Sequence, residues 1–337
     1  MNAWYMVAWS EEISDALFSR QILGQDVLLT RGSENAPVVL RDRCPHRFAP
    51  LSRGRRDGNR IVCGYHGLGF DENGRCVSNP YSDRIPTRAF VTRFPAIERD
   101  GIVWAWFGDP AKAEPSLVPD FAVTAAGSNG TTINGHTLMH ANYEYGTDNL
   151  LDLSHIEFVH TGTFAGNGVI FQGTHAIKHE GKQLYSNWWM PNVPCPAGLR
   201  RTLRSEMADH WLDMRWDAPS AMYLQIGATL PGEPREAGAT LHQAHILTPA
   251  NVGETHYFWS SNSASQQPPE QADMLRRMLR EAFDLEDKPM IEAAYRNVAG
   301  DFWDKKPISL GIDAGGVRAR RILESMKRAE AVELVPA

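Results

Sequence analysis

Residues 44–52, CPHRFAPLS, and 63–71, CGYHGLGFD, decide what the first third of this chain is. Each stretch opens on a cysteine and soon reaches a histidine, as Cys44-Pro-His46 and Cys63-Gly-Tyr-His66. Two thiolates and two neutral imidazoles can hold one tetrahedral zinc ion. They can equally hold a [2Fe–2S] cluster with both cysteines on one iron and both histidines on the other. Zinc fingers generally pair cysteine with cysteine and histidine with histidine. Here each loop supplies one of each, which lets two loops grip a dinuclear cluster from both sides. Gly64 and Gly67 allow the backbone close enough for amide N–H groups to face cluster sulfurs.

The surroundings of these loops are short apolar or alternating runs. QDVLLTR (25–31), APVVLRD (36–42), NRIVCGY (59–65) and GIVWAWFG (101–108) are separated by Gly, Asn, Asp and Pro, the pattern of a small antiparallel β domain. The Pro/Ala-rich GDPAKAEPSLVPD (108–120) reads as a linker, giving domains 1–115 and 116–337. Beyond it come a polar helical segment near 149–160, strand-like HWLDMRW, SAMYLQIGATL, LHQAHILT and ETHYFWSS, and a long amphipathic helix over about 268–298. The whole is an α+β chain whose second sheet curves around that helix.

With 337 residues, 42% hydrophobic and 22% charged, the chain has material for two ordinary domains. A formal charge of −6 argues against nucleic acid or an anionic membrane as the main partner. No run approaches the roughly 18 apolar residues of a membrane span. The start, MNAWYMVAWSEEI, lacks a basic n-region and is not expected to be a signal peptide, so a cytoplasmic location is expected. Four cysteines are too few for a disulfide framework, and Cys76 and Cys195, without histidine partners, are expected to be ordinary thiols.

A second constellation lies in TDNLLDLSHIEFVH (147–160), with Asn149, Asp152, His155 and His160. On an ideal helix the two histidines fall about 140° apart, so shared ligation needs a distortion or a helix end between them. Otherwise the segment is a solvated polar face. In the long helix, with Leu279 at 0°, the apolar residues fill about 0° to 120° and Asp287 falls mid-stripe at about 80°. An acid there is costly to bury unless something positive faces it. Pro289 would weaken the helix just beyond it. Glu286 is the next acid in line.

The two cysteine–histidine loops resemble the Rieske signature. D-N-x-x-D-x-x-H-x₄-H at 148–160 resembles the mononuclear iron motif of Rieske non-haem iron oxygenases, and VWAWFGDP and HILTP extend the likeness over most of the chain. Within that family it looks most like the oxygenase components of vanillate O-demethylase, toluenesulfonate methyl-monooxygenase and dicamba O-demethylase. The resemblance implies an N-terminal all-β Rieske domain followed by a helix-grip catalytic domain. It implies a cluster on Cys44, His46, Cys63 and His66, and Fe(II) on His155, His160 and Asp287, the segment LEDKPMIEA resembling the one that carries the carboxylate ligand. Asp152 would bridge His155 to His66 of a neighbouring copy in a head-to-tail homotrimer, its carboxylate accepting from both rings. Asn149 would line the iron site. His245 would contact an aromatic carboxylate, with a satisfied core histidine as the alternative, and Met278 would face the iron. His175 and His179 read as surface histidines, and Trp188, Trp189 and Trp303 as core.

The function implied is a terminal oxygenase. It would use O₂ and electrons from a separate NAD(P)H-dependent ferredoxin or flavin reductase, because no dinucleotide G-x-G-x-x-G is present. The expected reaction is monooxygenation of a substituted aromatic acid with oxidative O-demethylation of a methoxy group. Ring or methyl hydroxylation and N-demethylation are the alternatives within the family. A Rieske electron carrier without oxygenase activity is the alternative from another class.

Overall fold

The computed structural model describes residues 2–125, 130–164, 166, 168–263, 265–298, 300 and 302–333. The chain forms two compact units, 1–120 with 248–252, and 121–247 with 253–337.

The first unit is built of three antiparallel sheets. One orders β1 (Ala3–Trp9), β11 (Ile102–Phe107) and β10 (Ala96–Arg99). A second orders β2 (Phe18–Ile22), β3 (Gln25–Arg31), β4 (Pro37–Arg41) and β9 (Arg93–Phe94), and a third β5 (Arg55–Asp57), β6 (Arg60–Val62), β7 (Gly69–Phe70) and β8 (Cys76–Ser78). Alternation along β3 explains the arrangement. Val27 and Leu29 pack with Tyr5, Val7 and Phe107, while Leu28 faces the other way, onto Leu40, Leu51, Phe70 and the two cysteines Cys44 and Cys63. The second sheet therefore separates two cores, one of which backs the cysteine–histidine loops. The unit runs past residue 115 because Val118 is buried and Arg99 donates to the carbonyls of Pro115 and Val118.

The second unit is a seven-stranded antiparallel sheet. Its strands are β12 (Thr132–Met139), β13 (Thr174–Glu180), β14 (Gln183–Pro194), β15 (Met207–Asp217), β16 (Ala221–Thr229), β17 (Ala239–Asn251) and β18 (Glu254–Asn262). Their order is β12-β18-β17-β16-β15-β14-β13. The helices are α1 (Tyr143–Leu151), α2 (Ile156–Val159), α3 (Ala197–Leu203), α4 (Pro269–Arg280), α5 (Lys288–Val298) and α6 (Ala314–Glu333). A π segment, Glu281–Asp287, joins α4 to α5. Leu279, Ala282, Phe283 and Ile291 of this composite helix share a core with Met222, Leu224, Tyr257 and Trp259 of the sheet, giving the expected helix-grip plan.

Strands β1, β2, β5, β7 to β10 and β12 to β14, together with α3 and α6, did not emerge from the local pattern. The last matters to the site. Arg320 of α6 is buried, with ion pairs to Asp148 (2.6 Å) and Glu144 (2.8 Å) of α1 and its guanidinium over the rings of Tyr145 and Phe302. Burial pushes Asp148 up to about 6 although Arg320 pulls it down. The pairing fixes α1, whose C-terminal end leads into the histidine segment. Among the described residues no helix is long and apolar enough to cross a membrane.

Candidate metal centres

The two cysteine loops share one backbone design. In the first, Cys44 N–H donates to Ala49 O and Phe48 N–H returns to Cys44 O (both 2.9 Å). In the second, Cys63 N–H donates to Leu68 O (2.8 Å) and Gly67 N–H to Cys63 O (3.0 Å). The residue four beyond each cysteine has positive φ, Phe48 at 60° and Gly67 at 77°. Gly64 is required for a different reason: a Cβ there would sit 2.7 Å from the Arg53 carbonyl oxygen. Both thiols are buried at 2% exposure, and burial, with Cys63 adding to it, pushes Cys44 up to about 11. The rings of His46 and His66 meet edge to face with centroids 4.5 Å apart.

No three of these four donor atoms fall within 4.8 Å of one another, as a single tetrahedral ion would require. Thiol faces thiol and imidazole faces imidazole. Two pairs held apart suit a dinuclear cluster and do not suit zinc, so the donor set fits [2Fe–2S]. Cys76 and Cys195 are buried free thiols, each raised by burial, as expected of ordinary cysteines.

The histidine segment solves its angular problem by breaking. Helix α1 ends at Leu151, and Asp152 takes a non-helical conformation (φ −112°, ψ 84°). The Asp152 carboxylate caps a 3₁₀ turn, Leu153–His155, by accepting from Ser154 N–H (3.0 Å) and Oγ–H (2.6 Å). Helix α2 follows, and His160 caps its C-terminus. The restart brings the two imidazoles to a centroid separation of 5.3 Å.

Asp287 arrives from the π segment. An i→i+5 turn, with Lys288 N–H donating to Phe283 O, turns the last residue of the segment inward and leaves Asp287 2% exposed. The wide turn also removes the conflict with Pro289, whose ring would press on the carbonyl four residues back in a regular helix. Asp287 Oδ1 lies 3.4 Å from His155 Nε2, and Oδ2 lies 3.3 Å from His160 Nε2. Asn149 Nδ2 donates to Asp287 at 3.4 Å. Burial alone would raise Asp287, but the two histidines outweigh it and hold the carboxyl well below its usual range. His160 is lowered by burial, yet Asp287 and Glu286 carry it above its usual value.

Both ring tautomers are fixed from behind. His155 Nδ1–H donates to the Asp152 main-chain carbonyl (2.5 Å), and His160 Nδ1–H donates to Glu286 Oε2 (2.8 Å). Two Nε2 lone pairs and a carboxylate thus converge on one point that calls for a cation. Among the described residues this trio alone gathers three such donors within 4.8 Å, and two imidazoles with one carboxylate suit Fe(II) with open positions.

Three sequence expectations need correction here. The link from Asp152 to His155 runs through the main-chain carbonyl, not the side chain, because the carboxylate Oδ1 is occupied by the Ser154 cap. His175 is not a surface histidine: it stacks on Trp188 at 4.5 Å and meets Ser186 Oγ at 2.8 Å on strand β13, although His179 is exposed. Trp188 is core, but Trp303 is 38% exposed. Glu286, next in line as a ligand, instead clasps Thr163 Oγ1 (2.5 Å), Gly162 N (3.1 Å) and His160. Neighbouring acids at 286 and 287 should point about 100° apart. Both reach the site because His160 approaches Glu286 with Nδ1 and Asp287 with Nε2. Glu286→Ala is expected to weaken iron binding about 10- to 100-fold. Titrating iron into the variant, with the cluster's visible spectrum unchanged as control, checks this.

An apolar cavity of about 440 Å³ adjoins the trio. His155, His160 and Asp287 form part of its wall, with Leu212, Leu224, Ile226, Met278 and Phe283 among the apolar lining. His245, 2% exposed, also lines it, between Tyr257 O–H (2.7 Å to Nδ1) and Gln243 Oε1 (3.2 Å to Nε2).

Residues 3–93 match the Rieske [2Fe-2S] domain, and residues 139–329 match the vanillate O-demethylase oxygenase C-terminal domain. The chain is 35% identical to the oxygenase component of chloroacetanilide N-alkylformylase of Rhizorhabdus wittichii (strain DC-6 / KACC 16600), over 98% of this chain and 96% of that one. It is 34% identical to the oxygenase component of dicamba O-demethylase of Stenotrophomonas maltophilia, over 98% of each. The crystal structure of dicamba monooxygenase bound to dicamba superposes with a TM-score of 0.90 at 33% identity, covering 98% of both chains. This chain belongs to the Rieske non-haem iron oxygenases, as an oxygenase component of the vanillate O-demethylase type.

Proposed function

We propose that this oxygenase removes a methyl group from a heteroatom of an aromatic substrate, with O-demethylation of a methoxyarene as the leading reaction. The observation that carries this reading is the apolar cavity of about 440 Å³ with the His155, His160 and Asp287 donors in its wall. A mostly apolar pocket suits an arene and would limit water beside a bound iron. Cys44, His46, Cys63 and His66 would hold the cluster, and His155, His160 and Asp287 the iron. When bound, these groups supply single electrons and the activation of O₂.

The chain's own residues do the rest. Asn149 donates to Asp287 and Glu286 clamps His160, so that the donor atoms keep their facing geometry. Met278 and Phe283 give the substrate ring an apolar wall. Asp152 holds His155 by its carbonyl, and its part-buried carboxylate is the group offered to His66 of a neighbouring copy in a head-to-tail homotrimer. Electrons come from a separate ferredoxin or flavin reductase using NAD(P)H, and the system works in the cytoplasm. The overall change converts Ar–OCH₃, O₂, NAD(P)H and a proton into Ar–OH, formaldehyde, water and NAD(P)⁺. The hydroxylated methyl carbon leaves as formaldehyde while the arene oxygen keeps its bond to the ring.

N-dealkylation is a second reading, favoured by the 35% identity to a chloroacetanilide N-alkylformylase oxygenase component. Reconstitution with a reductase and NADH, assaying formaldehyde from a panel of methoxyarenes and N-methyl anilides, tests both. Formaldehyde from methoxyarenes is the expected result. Release from N-methyl substrates alone transfers the assignment to N-dealkylation, and hydroxylated product without formaldehyde removes demethylation altogether.

A further inference from the structure

The polar atoms of the cavity say what charge its occupant carries. His210 lies on β15, 8% exposed as a residue, and its Nδ1–H donates to the Gly227 carbonyl across the β15–β16 ladder (2.8 Å). That bond requires a hydrogen-free Nε2 in the neutral ring. Burial disfavours the imidazolium and moves His210 below its usual value. Nε2 has no partner among the described residues, and His210 lines the cavity. It is a lone-pair acceptor waiting for a donor. Gly227 makes the arrangement possible, because a Cβ there would lie 2.0 Å from the Trp211 indole that covers it.

Apart from the iron donors, the described lining offers an anion little complementary charge. His245 has both nitrogens engaged: Tyr257 O–H donates to Nδ1, which leaves Nε2–H to donate to Gln243 Oε1. The Gln243 amide in turn reaches Ser261 Oγ at 3.5 Å. Among the described residues Arg200 is the one guanidinium in the lining, and its side chain is 47% exposed, donating to the Cys195 carbonyl and standing 3.6 Å from Glu206. Glu157 adds a negative charge to the wall, accepting from Gly166, Gly168 and Ile170 N–H. A carboxylate held beside His210, away from the iron donors, would lose its hydration with only a solvated, already engaged arginine among the lining side chains, and burying a charge without a partner is unfavourable.

We propose that the cavity takes an uncharged aromatic substrate bearing an N–H or O–H group, and that His210 Nε2 accepts from that group. This narrows the demethylase reading and rests on it for the arene. It departs from the aromatic acid that the family resemblance implied.

Equilibrium binding to the holoenzyme, measured by calorimetry at pH 7.5, tests the inference without turnover. The probes are 4-methoxyphenol, 1,4-dimethoxybenzene and 4-methoxybenzoate. The neutral phenol is expected to bind at least about 100-fold more tightly than the benzoate. In His210→Phe, 4-methoxyphenol should lose about 5- to 10-fold in affinity, 1,4-dimethoxybenzene less than about 2-fold, and His210→Gln should restore most of the loss. Benzoate binding as tightly as the phenol overturns the charge argument. Equal losses for phenol and dimethoxybenzene in His210→Phe reduce His210 to a structural role. The three-ligand comparison on the unaltered enzyme stands even if that variant does not fold. The expected binding order without formaldehyde leaves this inference intact and removes demethylation, and the reverse order with formaldehyde does the opposite.

Discussion

Asp287→Ala is expected to abolish product formation while leaving the Rieske spectrum intact. The variant loses the only anionic donor of a trio whose other members are neutral imidazoles, and the cavity it borders is apolar. Loss of iron affinity should exceed the roughly 10- to 100-fold that removal of an outer partner costs, because a coordinating atom itself is gone. Iron analysis makes the expectation concrete: about three irons per chain in the parent and about two in the variant, with sulfide unchanged. Retention of the third iron by Asp287→Ala would exclude this carboxylate as a ligand and return attention to Glu286. A substrate-independent loss of turnover with iron retained would point to a positioning role.

Cys63→Ala is expected to do the converse. It should remove the cluster, with its two irons and red-brown colour, and leave iron binding by His155, His160 and Asp287, which are all drawn from the second unit. Turnover with a reductase should vanish because electrons have no entry. A stability loss should accompany it: Cys44 and Cys63 belong to the core of Leu51, Leu68 and Phe70, and metal-binding energy is folding energy. Calorimetry should show the first unit's transition shifted down and the second's preserved. A colourless but fully active Cys63→Ala would overturn the assignment. Paired with Asp287→Ala, it separates the two sites with one measurement, irons per chain.

The cluster loops were legible because their ligands are local. Cys44 and His46, and Cys63 and His66, lie within one turn of chain each, so residue type and spacing carry the chemistry before any folding is known. Strands such as β3 and β11 were legible because alternation and apolar runs report burial directly. Strands β12 and β14 were not. TINGHTLM of β12 gains its partner from β18, more than a hundred residues further on, and the polar stretches of QLYSNWWMPNVP in β14 alternate weakly. The α6 helix was missed because its partners, Asp148 and Glu144, precede it by well over a hundred residues.

At the iron site the residue types were readable and the geometry was not. A regular helix would hold His155 and His160 on different faces, and only the Asp152 break brings them together. A regular helix would also make Asp287 and Glu286 alternatives, whereas the folded site uses one toward His160 Nε2 and the other toward Nδ1.

By itself, then, the sequence determined the donor atoms: two cysteine–histidine loops, a histidine pair and an acid on an apolar helix face, because ligand chemistry resides in side-chain type and short spacing. Tertiary structure alone decided which acid faces the trio and which braces it, and that His245 is spent on Tyr257 and Gln243 while His210 is not. Those outcomes depend on helix breaks, a π turn and strand registers, which are settled by packing between segments distant in the chain.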